Sequence, residues 1–144
     1  MAESFVLDTS FWIALYREDD PRHNHAQELL KVIFEKKLII YILWPIYYEV
    51  LRTKFVKKED WVRRFKIHLE QLKVKEIDDS KYRTKALEDT ILNASTGKRK
   101  ISLVDMVIRH VLDDTSRKIN YLITYNEKDF SDVCMKRKIN FYLI

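Results

Sequence analysis

The apolar residues of this chain follow two spacings that alternate along its length. Short, mostly continuous apolar runs predict strands that are buried on both faces of a sheet. These runs cover residues 5–7, 38–43, 121–124 and 139–144, and a shorter strand is expected around residues 74–77. Between them, apolar residues recur at helical spacing, which predicts amphipathic helices.

The helical segments differ in length and in the signals that begin them. A short first helix runs through Trp12, Ile13 and Leu15 and is capped by Thr9 or Ser10. The remaining helices are residues 23–35, a segment from Pro45 toward Lys54, one marked by Trp61, Phe65, Leu69 and Leu72, residues 80–94, and one opened by Ser102 that carries Val104, Ile108 and Val111. The three tryptophans lie on these apolar patterns, so we expect core or dimer contacts for them.

Strands that alternate with helices predict an α/β fold with a parallel sheet covered on both faces. The expected architecture is a three-layer α/β/α arrangement with four to five parallel strands. With 144 residues and neither a linker nor an internal repeat, the chain is expected to form a single domain over residues 1–144. In such sheets, ligands bind beyond the carboxyl ends of the strands, where the strand order reverses.

Composition narrows the class of protein. Hydrophobic residues make up 47% of the chain and charged residues 34%, which excludes a disordered polypeptide. Cys134 is the only cysteine, so neither an internal disulfide nor a thiolate metal cluster can form, and we expect a cytoplasmic location. The longest near-apolar run, residues 38–48, is interrupted by Pro45 and is about half a membrane span, so we expect no membrane association.

The net charge favours a polyanionic partner. Lys and Arg number 27 against 22 Asp and Glu, which gives a net charge of +5 and a pI near 9.2. Nucleic acid is the natural candidate, although an excess of this size is also ordinary for a soluble protein.

Three carboxylates occupy apolar surroundings in the sequence. Asp8 ends the run 5–7, Glu49 lies within residues 45–51, and Asp105 lies within residues 101–108. Burying a carboxylate costs several kcal/mol unless a cation or hydrogen-bond donor compensates it. A shared divalent metal site would compensate all three.

Each acid also has an ordinary structural interpretation. Asp8 can cap the helix that follows it, and Ser102 and Asp105 form a capping box. Glu49 can pair with Arg52 or Thr53 on the protein surface. The positions of the three acids nevertheless favour a shared site. One lies at a strand end and two lie in early helical turns, and these places meet at the ligand-binding edge of a parallel sheet. Oxygen ligands without a histidine cluster favour Mg²⁺ or Mn²⁺ over zinc.

These residues resemble the PIN domain family, which includes the VapC-like ribonuclease toxins. Residues 8–15 resemble the family's opening motif, residues 45–51 the segment with the second acid, residues 102–105 the third, and residues 122–126 with Asp129 and Phe130 the fourth. The ordered set spans nearly the whole chain. The resemblance implies that Asp8, Glu49 and Asp105 are catalytic metal ligands.

The fourth motif departs from the family pattern. This chain has Asn126 where many members have Asp, so the position offers a carbonyl oxygen to a metal without a charge. Asp129 can supply the missing carboxylate or can be a surface turn residue. Weaker metal binding is therefore expected.

The resemblance implies a Mg²⁺- or Mn²⁺-dependent endoribonuclease that leaves a 5′-phosphate and a 3′-hydroxyl. Thr9, Ser10 and Thr124 would orient ligands or water, or would serve only as caps and strand-end residues. The basic loop Lys98, Arg99 and Lys100 is a candidate contact for the phosphate backbone, or a solvated loop. Lys57-Lys58, Arg63-Arg64 and residues 136–138 are similar candidates.

The resemblance also implies partners and leaves alternatives. The toxin interpretation implies an antitoxin and a homodimer, in addition to an RNA substrate. One alternative is a catalytically weak PIN module that binds RNA or a protein partner, and another is a housekeeping RNA-processing nuclease. A phosphoacceptor or a haloacid-dehalogenase-like phosphatase ranks below these, because the Asp-x-Asp pattern of those phosphatases is absent at Asp8.

Overall fold

A computed structural model describes residues 3–142 of the chain. Its strands are β1 (Ser4–Leu7), β2 (Ile39–Leu43), β3 (Lys73–Ile77), β4 (Tyr121–Ile123) and β5 (Asn140–Phe141). Its helices are α1 (Thr9–Tyr16), α2 (His23–Glu35), α3 (Trp44–Val50), α4 (Thr53–Val56), α5 (Glu59–Gln71), α6 (Arg83–Ser95), α7 (Leu103–Asp113) and α8 (Ser131–Arg137), with a short 3₁₀ helix at Glu127–Asp129.

The five strands form one parallel sheet in the order β3-β2-β1-β4-β5, with helices on both sides. Val6 of β1 pairs with Tyr41 on one side and with Leu122 on the other. The three-layer α/β/α prediction with four to five parallel strands is therefore confirmed. Because β2 and β3 lie on one side of β1 while β4 and β5 lie on the other, the strand order reverses between β1 and β4.

Burial explains the position of each strand in the sheet. All four residues of the central strand β1 are buried, and Phe5, Val6 and Leu7 have no exposed surface. Of the edge strand β3, only Ile77 is buried, and its lysines face solvent. Exposed lysines discourage pairing of an edge strand with another chain.

An aromatic cluster packs α5 against α1 and the α3–α4 segment. The Phe65 ring lies edge-on to Trp12 at 5.1 Å and contacts Tyr16 and Phe55 at 6.1 Å between ring centres. Such pairs add about 0.5–1.5 kcal/mol to the burial of their surface. The helical layer on this side of the sheet is thereby held together.

The expected helix from Pro45 toward Lys54 is in fact two helices. Helix α3 ends at Val50, and Arg52 is extended before α4 begins. This break turns Phe55 into the core, where only 2% of its surface is exposed. Burial of Phe55 in the core therefore explains why the helical spacing of residues 45–54 does not form one continuous helix.

The C-terminal region contains more structure than the sequence analysis predicted. Helix α8 buries Val133 and Cys134 next to the fully buried Phe130, a helical spacing that was not recognised. The helix ends at Lys138, which has a left-handed backbone (φ 57°). The helix predicted from residue 80 begins at Arg83, and residues 143 and 144 of the predicted last strand lie outside the described residues.

None of the helices between residues 3 and 142 combines the length and the apolar character needed to cross a bilayer.

Substitution of the central aromatic residue tests this packing. Phe65→Ala is expected to lower the free energy of unfolding by about 3–5 kcal/mol, because it leaves a cavity among the rings of Trp12, Tyr16 and Phe55. The matched control is Phe34→Ala, since Phe34 is 37% exposed and its loss should cost less than about 1 kcal/mol. Urea denaturation of both variants measures the difference, and equal losses would contradict the proposed role of the cluster.

Candidate metal-binding acidic cleft

A cleft of about 340 Å³ lies at the carboxyl ends of β1 and β4, where the strand order reverses. Most of the residues that line it have polar side chains. The lining residues are Asp8, Thr9, Ser10, Ile13, Asp20, Arg22, Glu49, Ser102, Asp105, Tyr125 and Asn126. The structure therefore brings together the three carboxylates that the sequence analysis singled out.

Asp8 is held from both sides of the strand reversal. Its Oδ1 accepts hydrogen bonds from the Ser10 amide at 2.9 Å and the Ser10 hydroxyl at 2.5 Å, and its Oδ2 accepts one from the Thr124 hydroxyl at 2.5 Å. The side chain is 4% exposed. Burial raises the pKa of the Asp8 carboxyl, while the bonds from Ser10 and Thr124 oppose that rise. Asp8 is thus both the cap of α1 and a member of the cleft.

Glu49 reaches the cleft from α3. The Thr9 hydroxyl, which directly follows Asp8 in the chain, donates to Glu49 Oε1 at 2.5 Å. The surface-pair interpretation with Arg52 is not what the structure shows, since the carboxylate bonds to α1 instead. Thr9 thereby ties the second acid to the first.

Asp105 lies in the first turn of α7, where Ser102 caps the helix by accepting from the Asp105 amide at 3.1 Å. The pKa of the Asp105 carboxyl is raised to about 7, first by burial and then by the charges of Asp8, Glu49 and Asp129. The capping interpretation therefore accounts for the Asp105 backbone, whereas the side chain belongs to a group of mutually repelling acids.

Asn126 and Asp129 form a pair at the end of β4. The Asn126 side-chain amide donates to Asp129 Oδ2 at 2.5 Å. Asn126 lines the cleft, whereas Asp129 lies behind it and reaches it through Asn126 and through its charge on Asp105. Arg109 fixes this segment by donating to the Asp129 carbonyl at 2.7 Å and to both oxygens of the Asp132 carboxylate.

The hydroxyls predicted to orient the site make the contacts such a role requires. Ser10 Oγ accepts from the Tyr125 amide at 3.0 Å, and Thr124 Oγ1 accepts from the Asn126 amide at 3.0 Å. Each hydroxyl therefore links a backbone group of the β4 end to Asp8. Thr124 directly follows β4, in agreement with its strand-end interpretation. The prediction that Thr9 or Ser10 caps the first helix is wrong, because both residues lie inside α1 and its N-cap is Asp8.

The basic loop lies outside the cleft. The Arg99 guanidinium bonds to the Asp132 carboxylate at 3.1 Å and to the Lys128 carbonyl, so it is engaged with the region around α8. Lys98 and Lys100 are exposed, and none of the three lines the cleft in the described chain. Their role in nucleic-acid binding stays a prediction.

Arg22 is a cleft residue that the sequence analysis missed. It is the one basic side chain that lines the cleft among the described residues, and its guanidinium lies 5.2 Å from the centre of the Tyr125 ring. The Tyr125 hydroxyl in turn bonds to His25 Nδ1 at 2.7 Å. No local signal distinguishes Arg22, because it enters the cleft only through the packing of α2 against α1.

The donor set fits a hard divalent cation. Mg²⁺ and Mn²⁺ prefer oxygen ligands. The cleft offers such oxygens on the carboxylates of Asp8, Glu49 and Asp105 and on the side-chain carbonyl of Asn126. A cation would also relieve the burial and mutual repulsion that raise the Asp105 pKa. Among residues 3–142, no three His, Cys, Asp or Glu side chains are arranged to hold one ion.

The fold and the cleft define an α/β protein with an acidic site at the switch point of a parallel sheet. The model of the PIN domain family matches residues 5–135, so the chain belongs to that family.

Solved structures with the same fold include two from toxin and antitoxin systems. VapC20 of Mycobacterium tuberculosis, a toxin that cleaves the sarcin-ricin loop, matches with a TM-score of 0.62 and 20% identity over 89% of this chain and 94% of its own. VapBC2 of Rickettsia felis, bound to a promoter DNA fragment, matches with a TM-score of 0.62 and 16% identity over 98% of this chain and 99% of its own. At these identities the likeness shows the fold. No curated protein matches the sequence.

The raised Asp105 pKa makes a prediction about pH. Because the folded-state pKa of about 7 exceeds the ordinary value of 3.8, the free energy of unfolding should fall as the pH rises from about 4 to about 7. Asp105→Asn removes this loss, so it should stabilise the metal-free protein by roughly 1–2 kcal/mol more at pH 8 than at pH 4, allowing for partial solvent exposure. Urea denaturation at the two pH values measures this, and an equal effect at both would contradict it.

Proposed function

We propose that this protein is a divalent-metal-dependent endoribonuclease that acts as the toxin of a toxin and antitoxin pair. One observation carries the proposal: Asp8, Glu49 and Asp105 line one cleft at the sheet's switch point, with Asn126 beside them and the Asp129 charge behind. Clustered carboxylates in a basic protein suit a metal-assisted reaction on a polyanion better than they suit a binding surface.

In this proposal Asp8, Glu49 and Asp105, with the carbonyl oxygen of Asn126, hold the cation. When bound, Mg²⁺ or Mn²⁺ supplies an activated water and offsets negative charge on the phosphate under attack. The protein's part is to position these oxygens. Ser10 and Thr124 orient Asp8, Thr9 orients Glu49, and Asp129 orients the Asn126 amide.

Arg22 is the protein's own positive charge at the cleft. Its guanidinium has planar donors that match a phosphate, and its contact with the Tyr125 ring pre-orders the side chain. Arg22 therefore contacts the substrate backbone in this proposal. It replaces the loop 98–100 as the basic group closest to the acids.

The toxin assignment rests on the structural neighbours. VapC20 is a toxin that cleaves the sarcin-ricin loop, and VapBC2 is bound to a DNA fragment from its promoter. By this resemblance we extend an RNA substrate and an antitoxin partner to this chain. The homodimer and the cytoplasmic location stay predictions.

The main test is substitution of the acid in α7. Asp105→Asn is expected to lower Mg²⁺- or Mn²⁺-dependent cleavage of an RNA panel by at least about 100-fold, since even loss of an outer partner of a metal site costs about 10- to 100-fold. The control is Asp113→Asn, which removes a carboxylate from the same helix outside the cleft and should leave cleavage unchanged.

Two results would contradict the nuclease proposal. One is an absence of cleavage by the wild-type protein with either ion, and the other is cleavage that Asp105→Asn leaves unchanged. RNA binding without cleavage would instead support the catalytically weak module, for which the uncharged Asn126 is the structural reason.

The fourth ligand position makes a separate prediction. Asn126→Asp adds a charge to the site and should tighten Mn²⁺ binding by about tenfold, because ligand charge tunes affinity for hard cations. In the metal-free protein the same change places a second carboxylate at the Asp129 carboxylate and should lower the melting temperature. Isothermal titration calorimetry and thermal unfolding measure the two effects. Unchanged Mn²⁺ affinity would show that Asp129 already supplies the fourth carboxylate.

A further inference from the structure

A second depression, with a volume of about 240 Å³, lies between α1, α4 and α5. Its lining contains four basic side chains and a single acidic one. The basic residues are Arg17, Arg52, Lys54 and Lys58, and the acidic residue is Asp19. This basic depression is opposite in charge to the acidic cleft.

The positive charge of the basic depression is largely uncompensated. Among the described residues, Asp19 forms an ion pair with Arg17 alone, at 3.4 Å, and both side chains are well exposed, so the pair is weak. In the part of the chain that the structure describes, Arg52, Lys54 and Lys58 make no ion pair. Cations gathered in this way repel one another and attract a polyanion.

The basic depression also offers an aromatic surface. Trp61 lines it and is only partly buried, and the Lys58 amine lies 5.7 Å from the centre of its ring. Trp61 was expected in the core or in a dimer contact. The structure packs it against the core, with its ring centre 5.5 Å from that of Phe55, and its partly exposed side chain also lines the depression. A basic groove with a partly exposed aromatic ring is the arrangement that binds single-stranded nucleic acid.

The basic depression and the acidic cleft share a wall. Ile13 lines both of them. Along α1, Ser10 faces the cleft and Arg17 faces the depression, a separation of about 10 Å at 1.5 Å per residue. The α3–α4 segment runs the same way, with Glu49 in the cleft and Arg52 in the depression. A few nucleotides of a single strand can therefore contact both the cleft and the depression.

We propose that the basic depression is a subsite for single-stranded RNA next to the bond that is cut, with phosphates on Arg52, Lys54 and Lys58 and a base against Trp61. The proposal rests on the proposed function, because the cleft is where the scissile phosphate would lie. A single-stranded RNA is favoured over an acidic peptide because α1 and the α3–α4 segment both run from the acidic cleft, where a phosphodiester would be cut, to the basic depression. The break between α3 and α4 creates the subsite by carrying Arg52 and Lys54 to it.

The test measures binding apart from cleavage. The affinity of a fluorescently labelled single-stranded RNA is measured by anisotropy in EDTA over a series of salt concentrations. The double variant Lys54→Ala with Lys58→Ala is expected to bind roughly 5- to 10-fold more weakly. The negative slope of log affinity against log salt should become shallower by about 1.4, which is about 0.7 for each lost phosphate contact.

The matched control is Lys36→Ala with Lys118→Ala. Both lysines are exposed and precede β2 and β4, so they lie at the amino ends of the strands, away from the cleft and the depression. Their substitution removes the same net charge as the Lys54 and Lys58 substitutions. Affinity and salt slope should stay within about twofold of the wild type for this control. Equal losses in the two double variants would overturn the proposal, since the effect would then reflect net charge alone.

Substitution of Trp61 tests the aromatic part of the subsite. Trp61→Leu should weaken RNA binding by at least about fivefold, whereas Trp61→Phe should retain most of it because a ring face remains for stacking. Equal affinities of the two variants would overturn the role of the ring. If Trp61→Leu does not fold, the exposed lysine pair still decides the proposal.

Two further measurements distinguish the RNA subsite from the proposed nuclease function and from a binding site for an acidic peptide. Cleavage by the wild-type protein in Mn²⁺ reports on the proposed function alone, so cleavage with an unchanged affinity of the lysine variant would overturn only the subsite. Competition with polyglutamate reports on the partner class. Loss of polyglutamate binding in the lysine variant, with RNA affinity intact, would overturn the subsite in favour of an acidic peptide.

Discussion

The buried carboxylate of Asp8 is the constraint on which the rest of the site depends. Withdrawal of a carboxylate from water costs several kcal/mol, and here the cost is offset by three hydrogen bonds from Ser10 and Thr124. Those donors come from α1 and from the end of β4. The same interaction therefore caps a helix, joins the two strand ends at the reversal of strand order, and places an acid where other acids can approach.

The other acids are positioned close to Asp8, and their negative charges repel one another. Thr9 binds Glu49, and Asp105 enters from the first turn of α7, so like charges accumulate in a partly desolvated cleft. The raised pKa of Asp105 reflects its burial first and this repulsion second. A cleft that disfavours its own charges is poised for a cation, and the net charge of +5 on the whole chain brings polyanions to the same molecule.

The fold shows which features are local enough to be predicted. Residues 5–7 are apolar and continuous because β1 is buried on both faces. The order of the strands within the sheet, and with it the reversal next to β1, came from the structure. The break after α3 and the helix α8 were not predicted. Each depends on a side chain, Phe55 or Phe130, that fills space provided by other elements, and no local pattern reports how much space is available.

By itself, the sequence determined the parallel α/β architecture, the family, and the identity of Asp8, Glu49 and Asp105 as the residues of interest, because apolar periodicity and the residue after a buried strand are local properties. Only the tertiary structure decided that Asp129 bonds to Asn126, that Arg22 rather than the loop 98–100 lines the cleft, and that Arg52 and Lys54 line a basic depression beside it. Those facts depend on distances between residues far apart in the chain, and electrostatic interactions are set by such distances and by burial.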